Sequence, residues 1–172
     1  MISLQWIDNF LSPEEYSEVQ ELSDSIHFHS AEEYADKYGD SKDPNPKINF
    51  NWRGWQNCKR SDNLVEYLDN VTEKINDAFD CRVSRLEFFN HPLENFPEYE
   101  PSPPQHIDAR FDFSGVLYLD HGDIGLGTTV GDQYVDWKPN RLITFDAYTP
   151  HNPHFGGIDR KVLTFFSYKK KF

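Results

Sequence analysis

A histidine and an aspartate two residues apart form the most informative chemical pattern in this sequence. They are His106 and Asp108, which end a proline-rich stretch and precede a run typical of a β-strand. Residues two apart point to the same side of an extended chain, so one imidazole and one carboxylate can bind the same metal ion here. A third ligand from a distant strand would complete a facial set of two histidines and one carboxylate, which leaves three positions on Fe(II) open for substrate and O₂.

The same pattern occurs a second time, at His121 and Asp123. In a chain with seven histidines and many aspartates, one such match has about an even chance of arising by accident, so the pattern alone is weak evidence. The second match contains Gly122 and follows a strand-like run, which indicates a hairpin connection. We therefore prefer His106 and Asp108 as the metal-binding pair.

Two residues further along the chain suit the same site. His151 lies just beyond a strand-like run that ends at Phe145, and it is well placed to reach back to His106. Arg160 begins the last strand-like run. An arginine inside an aromatic β-rich core needs an anionic partner, and its planar fork binds a carboxylate through two hydrogen bonds. An oxo-acid cosubstrate beside a metal would be such a partner, whereas Asp159 or solvent is the structural alternative.

The N-terminal half is predicted to supply helices and a loop. A serine followed by proline and two acids marks the start of a helix over 13–26, whose apolar residues recur at helical spacing. A second helix with one apolar face is expected over 61–79. Between them, the polar stretch 32–47 predicts a mobile loop, and the alternating aromatics of 48–56 predict a strand.

The C-terminal half is predicted to be a β-structure. Its strand-like runs are 83–89, 111–119, 128–130, 134–137, 142–145 and 162–168. Many short strands separated by close turns predict an antiparallel sandwich or jelly roll. We therefore expect a mainly β fold with N-terminal helices (α+β) in one domain over 1–172, with helical support and an entrance loop in 1–80 and a jelly-roll core in 81–172.

Composition narrows the class of partner. The chain has 172 residues, with 17 basic and 29 acidic side chains and a formal net charge of −12. Nucleic-acid binding normally requires a basic face, so this balance argues against it. No apolar run approaches the roughly 20 residues of a membrane helix. Cys58 and Cys81 show no metal-binding spacing and are expected to be reduced thiols. Together with the lack of a long apolar run, this predicts a soluble cytoplasmic protein without a membrane partner.

The order of these motifs resembles the Fe(II)/2-oxoglutarate-dependent dioxygenase superfamily, and most of all its small prolyl-4-hydroxylase-like members. The resemblance runs from the pair at 106 and 108, through the strand 114–119 and Gly127-Thr128, to the residues at 151 and 160–165, and the opening segment 8–15 adds to it. It implies a double-stranded β-helix (jelly roll, cupin-like). It also implies Fe(II) and 2-oxoglutarate as cofactors, ascorbate as an optional reductant, and substrate hydroxylation with release of succinate and CO₂.

Residue by residue, the resemblance implies three iron ligands, namely His106, Asp108 and His151. It implies that Arg160 binds the distal carboxylate of 2-oxoglutarate and that Tyr118 or Thr164 assists there. About four strands should separate the two ligand sites in the family fold. The strand-like runs between the first ligand pair and His151 number four, whereas a start from His121 leaves three, which favours His106.

Two assignments stay open within this interpretation. His154 lies three residues after His151 and could be the distal ligand instead, although the interval from Phe145 favours His151. Lys161 adjoins Arg160, and some prolyl hydroxylases use lysine for 2-oxoglutarate. Neighbours on a strand face opposite ways, so only one of the two can serve. The match to the family's arginine-led strand favours Arg160.

The substrate is not identified by the sequence and is expected to be a small molecule or a peptide, such as a prolyl or other amino-acid side chain. The aromatic segment 49–56 and the proline-rich segment 91–104 are candidate entrance loops. Two other functions stay open. One is a cupin-like metal-dependent enzyme without 2-oxoglutarate, which has no particular need for Arg160 as an anion anchor. The other is a non-catalytic jelly-roll binding module, against which loss of iron binding in His106→Ala would argue.

Overall fold

Within the described residues, the structure has two antiparallel sheets and three helices. The computed structural model describes residues 4–38, 58–91, 105–120, 126–154 and 160–171. The strands are β1 Gln5–Ile7, β2 Lys59–Arg60, β3 Cys81–His91, β4 Phe113–Tyr118, β5 Thr128–Val130, β6 Gln133–Val135, β7 Leu142–Asp146, β8 His151–Pro153 and β9 Arg160–Lys169. The helices are α1 Pro13–Ser25, α2 Ala31–Tyr38 and α3 Asp69–Phe79.

The larger sheet has six strands in the order β1-β7-β4-β9-β3-β2, and the smaller has three in the order β6-β5-β8. Strand β9 lies in the middle of the large sheet, where it pairs along its length with β3 on one side and over 162–167 with β4 on the other. All of these pairings are antiparallel. The predicted mainly antiparallel β architecture with a few helices is therefore confirmed.

Each face of the large sheet carries its own apolar core, because side chains alternate between faces along a strand. The first core places the helices against residues such as Phe88, Leu163 and Phe165. The second contains Val162 and Phe166 from the same strand β9, together with residues of the small sheet. The two sheets therefore pack around the second core, and this is the side on which the candidate site lies.

The first predicted helix is present, and the second begins later than predicted. Helix α1 starts as a capping box, since Ser12 Oγ accepts a hydrogen bond from the Glu15 backbone and the Glu15 carboxylate accepts one from Ser12 N–H. The expected start of the next helix at Ser61 is wrong, because α3 begins at Asp69. The preceding segment lies along β3 instead: Ser61 N–H and Leu64 N–H both donate to carbonyls of that strand.

The loop expected over 32–47 is wrong at its start, where α2 forms. Ser30 and Glu33 make a second capping box at its N-terminus. Tyr34 is buried on its inner side and donates its hydroxyl to the carboxylate of Glu87 on β3. This contact stabilises a helix in a segment whose polar sequence predicted a loop. The rest of that loop, and the strand expected over 48–56, lie outside the described residues.

All six strands predicted in the C-terminal half are present, with ends that differ by two residues at most. The strands β1, β2 and β8 were not predicted, and each has only two or three residues. Within the described residues, no helix is long and apolar enough to cross a membrane.

Candidate active site

Two backbone hydrogen bonds bring the metal-binding motif to the start of β8. His106 N–H donates to the His151 carbonyl, and His151 N–H donates to the His106 carbonyl, each at 2.9 Å. Asp108 N–H donates to the carbonyl of Ala147 at 2.8 Å. These bonds hold two segments some 45 positions apart in the chain against each other, so the positions of the three side chains are set by the backbone.

The structure brings the predicted triad together. The donor atoms of His106, Asp108 and His151 all lie within 4.8 Å of one another. Asp108 Oδ2 is 3.1 Å from His151 Nε2, and Asp108 Oδ1 is 3.6 Å from His106 Nε2. Two donors at right angles, each about 2.1 Å from one metal ion, lie about 3 Å apart. Two imidazoles and one carboxylate at these separations therefore fit a facial metal site.

Neighbouring groups fix two of these ligands in orientation. The Nδ1–H of His151 donates to the Thr149 carbonyl at 2.8 Å, because a carbonyl can only accept. This leaves Nε2 free of its proton in the neutral ring and directed at Asp108. The hydroxyl of Ser114 donates to Asp108 Oδ2 at 2.6 Å. Hydrogen bonds of this kind hold metal ligands in place and raise their affinity for the ion.

The three side chains titrate as a coupled group. Burial and the charge of His151 lower the pKa of His106 to about 4. Burial raises the pKa of Asp108, but both histidines and Ser114 outweigh it and hold that pKa at about 2. Burial lowers the pKa of His151, and the charge and hydrogen bond of Asp108 raise it above its usual value. At neutral pH, His106 is therefore neutral and Asp108 is charged, as metal ligands must be.

The triad opens into a cavity between the two sheets. Its empty volume is about 530 Å³, including its open mouth. The rest of the lining is mainly apolar and includes Phe89, Val162 and Phe166. Cys58 and His91 also line the cavity, and neither was predicted to be a site residue. The cavity is thus a largely apolar space with polar groups concentrated at a few points, which is typical of a small-molecule site.

Arg160 lines the same cavity and is only 2% exposed. Its Nε donates to the Leu126 carbonyl and its Nη2 to Thr128 Oγ1, both at 3.3 Å. Among the residues that the structure describes, no carboxylate pairs with it; Asp159 lies outside them. Burial lowers the pKa of Arg160 to about 10, so the guanidinium is charged at neutral pH. A buried cation at a cavity wall without a carboxylate partner fits an anionic ligand.

The two residues expected to assist Arg160 differ in position. Thr164 lines the cavity. Tyr118 is fully buried behind the wall and donates its hydroxyl to Thr128 Oγ1 at 2.8 Å. Thr128 therefore accepts from both Tyr118 and Arg160, which leaves its own hydroxyl proton free to donate. Thr128 was part of the family resemblance, but no role was predicted for it, because a threonine in a strand has no distinguishing pattern.

The alternative residues His154 and Lys161 lie outside both the triad and the cavity lining. His154 lies outside the triad, with Nε2 2.6 Å from Thr129 Oγ1. Lys161 faces α1 on the opposite side of β9, where Nζ donates to the Ser23 carbonyl and Asp24 Oδ1. Both positions agree with the preference for His151 and Arg160. The alternative pair at 121 and 123 lies outside the described residues.

Comparison with known proteins identifies the fold. No protein-family model matches the chain, and no curated protein matches its sequence. Among solved structures, a Pseudomonas putida prolyl-4-hydroxylase aligns over 98% of this chain and 94% of its own, with a TM-score of 0.55 and 17% identity.

Two other solved structures give the same result. A Trichoplax adhaerens prolyl hydroxylase, in complex with a peptide of the hypoxia-inducible factor oxygen degradation domain, covers 97% of this chain and 84% of its own, with a TM-score of 0.61 and 16% identity. HygX from Streptomyces hygroscopicus, with nickel, 2-oxoglutarate and hygromycin B bound, covers 99% and 84%, with a TM-score of 0.63 and 7% identity. The chain therefore has the fold of these proteins over nearly its whole described length.

Proposed function

We propose that this chain is an Fe(II)- and 2-oxoglutarate-dependent oxygenase, a small prolyl-4-hydroxylase-like member of its superfamily. It hydroxylates a small-molecule or peptide substrate, such as a prolyl or other amino-acid side chain, and releases succinate and CO₂. The observation that carries the proposal is one cavity holding both a His-Asp-His triad and a buried arginine without a carboxylate partner among the described residues. Residues 1–172 would form one catalytic domain, with 81–172 as the double-stranded β-helix.

In this proposal, His106, Asp108 and His151 hold the iron. The bound iron and 2-oxoglutarate together supply the oxidising chemistry, with ascorbate as an optional reductant. The protein's task is to keep one face of the metal ion ligated and the other accessible. Asp108 contributes the negative charge that lowers the net charge of the site, and Ser114 holds that carboxylate in place. Thr149 fixes the tautomer in which His151 Nε2 is a ligand.

The cosubstrate carboxylate binds where Arg160 lines the cavity. Arg160 offers a planar fork of N–H donors, and burial strengthens its attraction for an anion because water is largely excluded. Thr128 supplies a hydroxyl next to that fork, and Thr164 supplies another on the cavity wall. Tyr118 acts indirectly, by donating to Thr128 and so orienting the Thr128 proton away from itself.

The apolar wall excludes water from the reacting centre. Phe89, Val162 and Phe166 are buried and line the cavity between the triad and the surrounding core. Exclusion of water strengthens electrostatic contacts within the site and limits side reactions.

Two observations favour this function over the alternatives. A cupin-like metal enzyme without 2-oxoglutarate would not need a charged arginine buried at the cavity wall, since an unpaired buried charge is costly. A non-catalytic binding module would not need three metal-ligating side chains with supporting hydrogen bonds. The Trichoplax protein is bound to a peptide and HygX to hygromycin B, so the fold accepts both substrate classes that we propose.

The experiment compares succinate formation in wild type, Asp108→Asn and His154→Gln, with Fe(II), 2-oxoglutarate and ascorbate supplied. We expect Asp108→Asn to lose at least about 100-fold in rate and in Mn(II) affinity, because a ligand contributes more than the supporting residues whose loss costs 10–100-fold. His154→Gln is the matched control and should retain both. Absence of 2-oxoglutarate turnover in metal-loaded wild type, or full metal affinity in Asp108→Asn, would refute the proposal.

A further inference from the structure

A second pocket lies beside the candidate active site and carries a different kind of lining. It has an empty volume of about 570 Å³, including open solvent, and is lined by polar and aromatic side chains of α2, β3 and the segment that follows Asp108. We call it the basic pocket. The residues that carry the argument are Arg85, Glu87, Arg110, Phe111 and Tyr168.

The basic pocket has an excess of positive charge in a strongly acidic protein. Glu87 is fully buried and is paired with two guanidiniums: Arg60 Nη2 at 2.9 Å and Arg85 Nε at 2.8 Å. Arg110 adds a third positive charge, and it forms no ion pair with any residue that the structure describes. Asp62 lies next to α2 and is already paired with Lys37 of that helix. Among the residues that line the pocket, two guanidiniums and one carboxylate leave one positive charge unbalanced.

Several hydrogen-bond donors face this space without a protein partner. Arg85 uses Nε on Glu87 and Nη2 on the Tyr34 hydroxyl, so its remaining terminal nitrogen is free to donate. Arg110 is exposed and has its whole fork available. The hydroxyl of Tyr168 makes no hydrogen bond with any described residue. The free guanidinium of Arg110 and the free nitrogen of Arg85 together suit a planar carboxylate, because a carboxylate accepts two parallel hydrogen bonds from an arginine.

The basic pocket and the active-site cavity share a wall. Phe166 lines the cavity, and its ring stacks on Phe111 at a centroid distance of 4.9 Å; Phe111 lines the basic pocket. Arg110 follows Asp108 by two residues, so their Cα atoms are at most about 7 Å apart. The two spaces are therefore neighbours separated by the stacked rings of Phe111 and Phe166, and a substrate that extends from the triad past these rings would place a group in the basic pocket.

We infer that the basic pocket is a substrate subsite that binds a carboxylate, so that the substrate class is acidic: a carboxylate-bearing small molecule or a peptide with a carboxylate close to the oxidised residue. The role as a substrate subsite rests on the proposed oxygenase function, whereas the preference for a carboxylate rests on the charges and free donors of the pocket. Arg110 makes the principal contact. Arg85, held by Glu87 and Tyr34, adds a second donor.

The binding test needs no catalysis and uses the full chain. N-acetylglycine and its neutral counterpart N-acetylglycinamide are each titrated into the protein while arginine Nε–H signals are followed by ¹⁵N NMR. Saturating 2-oxoglutarate is present to fill the Arg160 site. We expect the Arg110 and Arg85 signals to shift saturably with the carboxylate and not with the amide. In Arg110→Gln the dissociation constant should rise at least tenfold, whereas Lys171→Gln, with the same change in net charge, should match wild type.

Two results of this titration would overturn the inference. One is an equal response to the amide, or a wild-type response in Arg110→Gln, since the pocket would then not recognise the charge. The other is tighter binding of inorganic phosphate than of N-acetylglycine, which would reassign the pocket to a tetrahedral anion.

The catalytic test compares succinate formation with a tripeptide pool bearing free C-terminal carboxylates and with the same pool amidated. A preference of at least tenfold for the free acids, lost in Arg110→Gln, supports the subsite. Equal use of both pools overturns it. If the anion binds but neither pool nor any added substrate yields succinate, the proposed oxygenase function fails while the carboxylate pocket stands.

Discussion

Replacement of Arg160 by glutamine separates cosubstrate binding from folding. The guanidinium is 2% exposed, and its only described hydrogen bonds are two long ones of 3.3 Å to Leu126 and Thr128. The folded protein therefore gains little from this charge without its ligand, and burial of the unpaired charge is unfavourable. We expect Arg160→Gln to be about as stable as wild type before 2-oxoglutarate is added, and to differ only afterwards.

The size of the difference follows from the lost contacts. Two charge-assisted hydrogen bonds contribute about 1.5–3 kcal/mol each, and glutamine restores about one neutral bond. A net loss of about 3 kcal/mol raises the dissociation constant of 2-oxoglutarate roughly 150-fold. At 100 times the wild-type dissociation constant, the ligand stabilises wild type by about 2.7 kcal/mol and the variant by about 0.3 kcal/mol.

The assay is thermal unfolding of Mn(II)-loaded protein under anaerobic conditions, with and without 2-oxoglutarate. At about 2–4 °C per kcal/mol for a chain of this size, wild type should gain about 5–11 °C and Arg160→Gln about 1 °C. Lys161→Gln is the matched control, because its side chain contacts α1 on the opposite face of β9. It should gain as much as wild type.

Either of two outcomes would refute this reasoning. A wild-type gain in Arg160→Gln would mean that the buried guanidinium is not the anion anchor. A loss of the gain in Lys161→Gln would mean that β9 presents its other face to the cavity. Collapse of the ligand-free variant would show that Arg160 contributes to folding, and calorimetric titration of the Arg160→Lys variant, which keeps the charge without the fork, would then measure the anchor directly.

Two further predictions concern the framework of the site. In Gly115→Ala the new Cβ would lie 2.0 Å from the ring of Phe165, so we expect the free energy of unfolding, measured with urea, to fall by about 3 kcal/mol. In the control Gly131→Ala the new Cβ has space but the φ of 62° is strained, so we expect a loss of about 1 kcal/mol. Equal losses in the two variants would contradict the packing argument. Hydrogen bonding to Arg141 lowers the pKa of Asp8 from 3.8 to about 2. The wild type should therefore be more stable than Asp8→Asn by a constant amount above about pH 4, and this difference should disappear as the pH falls through 2. Midpoints of urea unfolding measured across this pH range will test it. An advantage that persists at pH 2 would show that the ion pair is not its source.

The metal-binding motif was predictable because its geometry is local. His106 and Asp108 share a side of an extended segment whatever the rest of the fold does. His151 and Arg160 depended on long-range structure, and the family pattern supplied what spacing could not. The choice between Arg160 and Lys161 is set by the register of β9 against its neighbours and by the position of α1, neither of which leaves a signal in the sequence.

Features held by distant contacts were not predictable. Helix α2 forms in a polar segment because Tyr34 reaches Glu87 on β3, and the ion pairs of Glu87 involve residues from two different strands. The segment before α3 has helical spacing, yet it pairs with β3 through Ser61 and Leu64. In both places a tertiary hydrogen bond overrides the local pattern.

The central position of β9 also affects how this chain folds while it is being synthesised. Of the six strands in the large sheet it is the last to leave the ribosome, and it lies in the centre, between β4 and β3. Until it emerges, the nascent chain holds two separate half-sheets whose inner edges have no hydrogen-bonding partner, a state that favours aggregation and slow closure. Because Arg160 is the first residue of this strand, the proposed anion site is completed in the same step that joins the halves, and a chain that still lacks β9 has no anchor for the ligand.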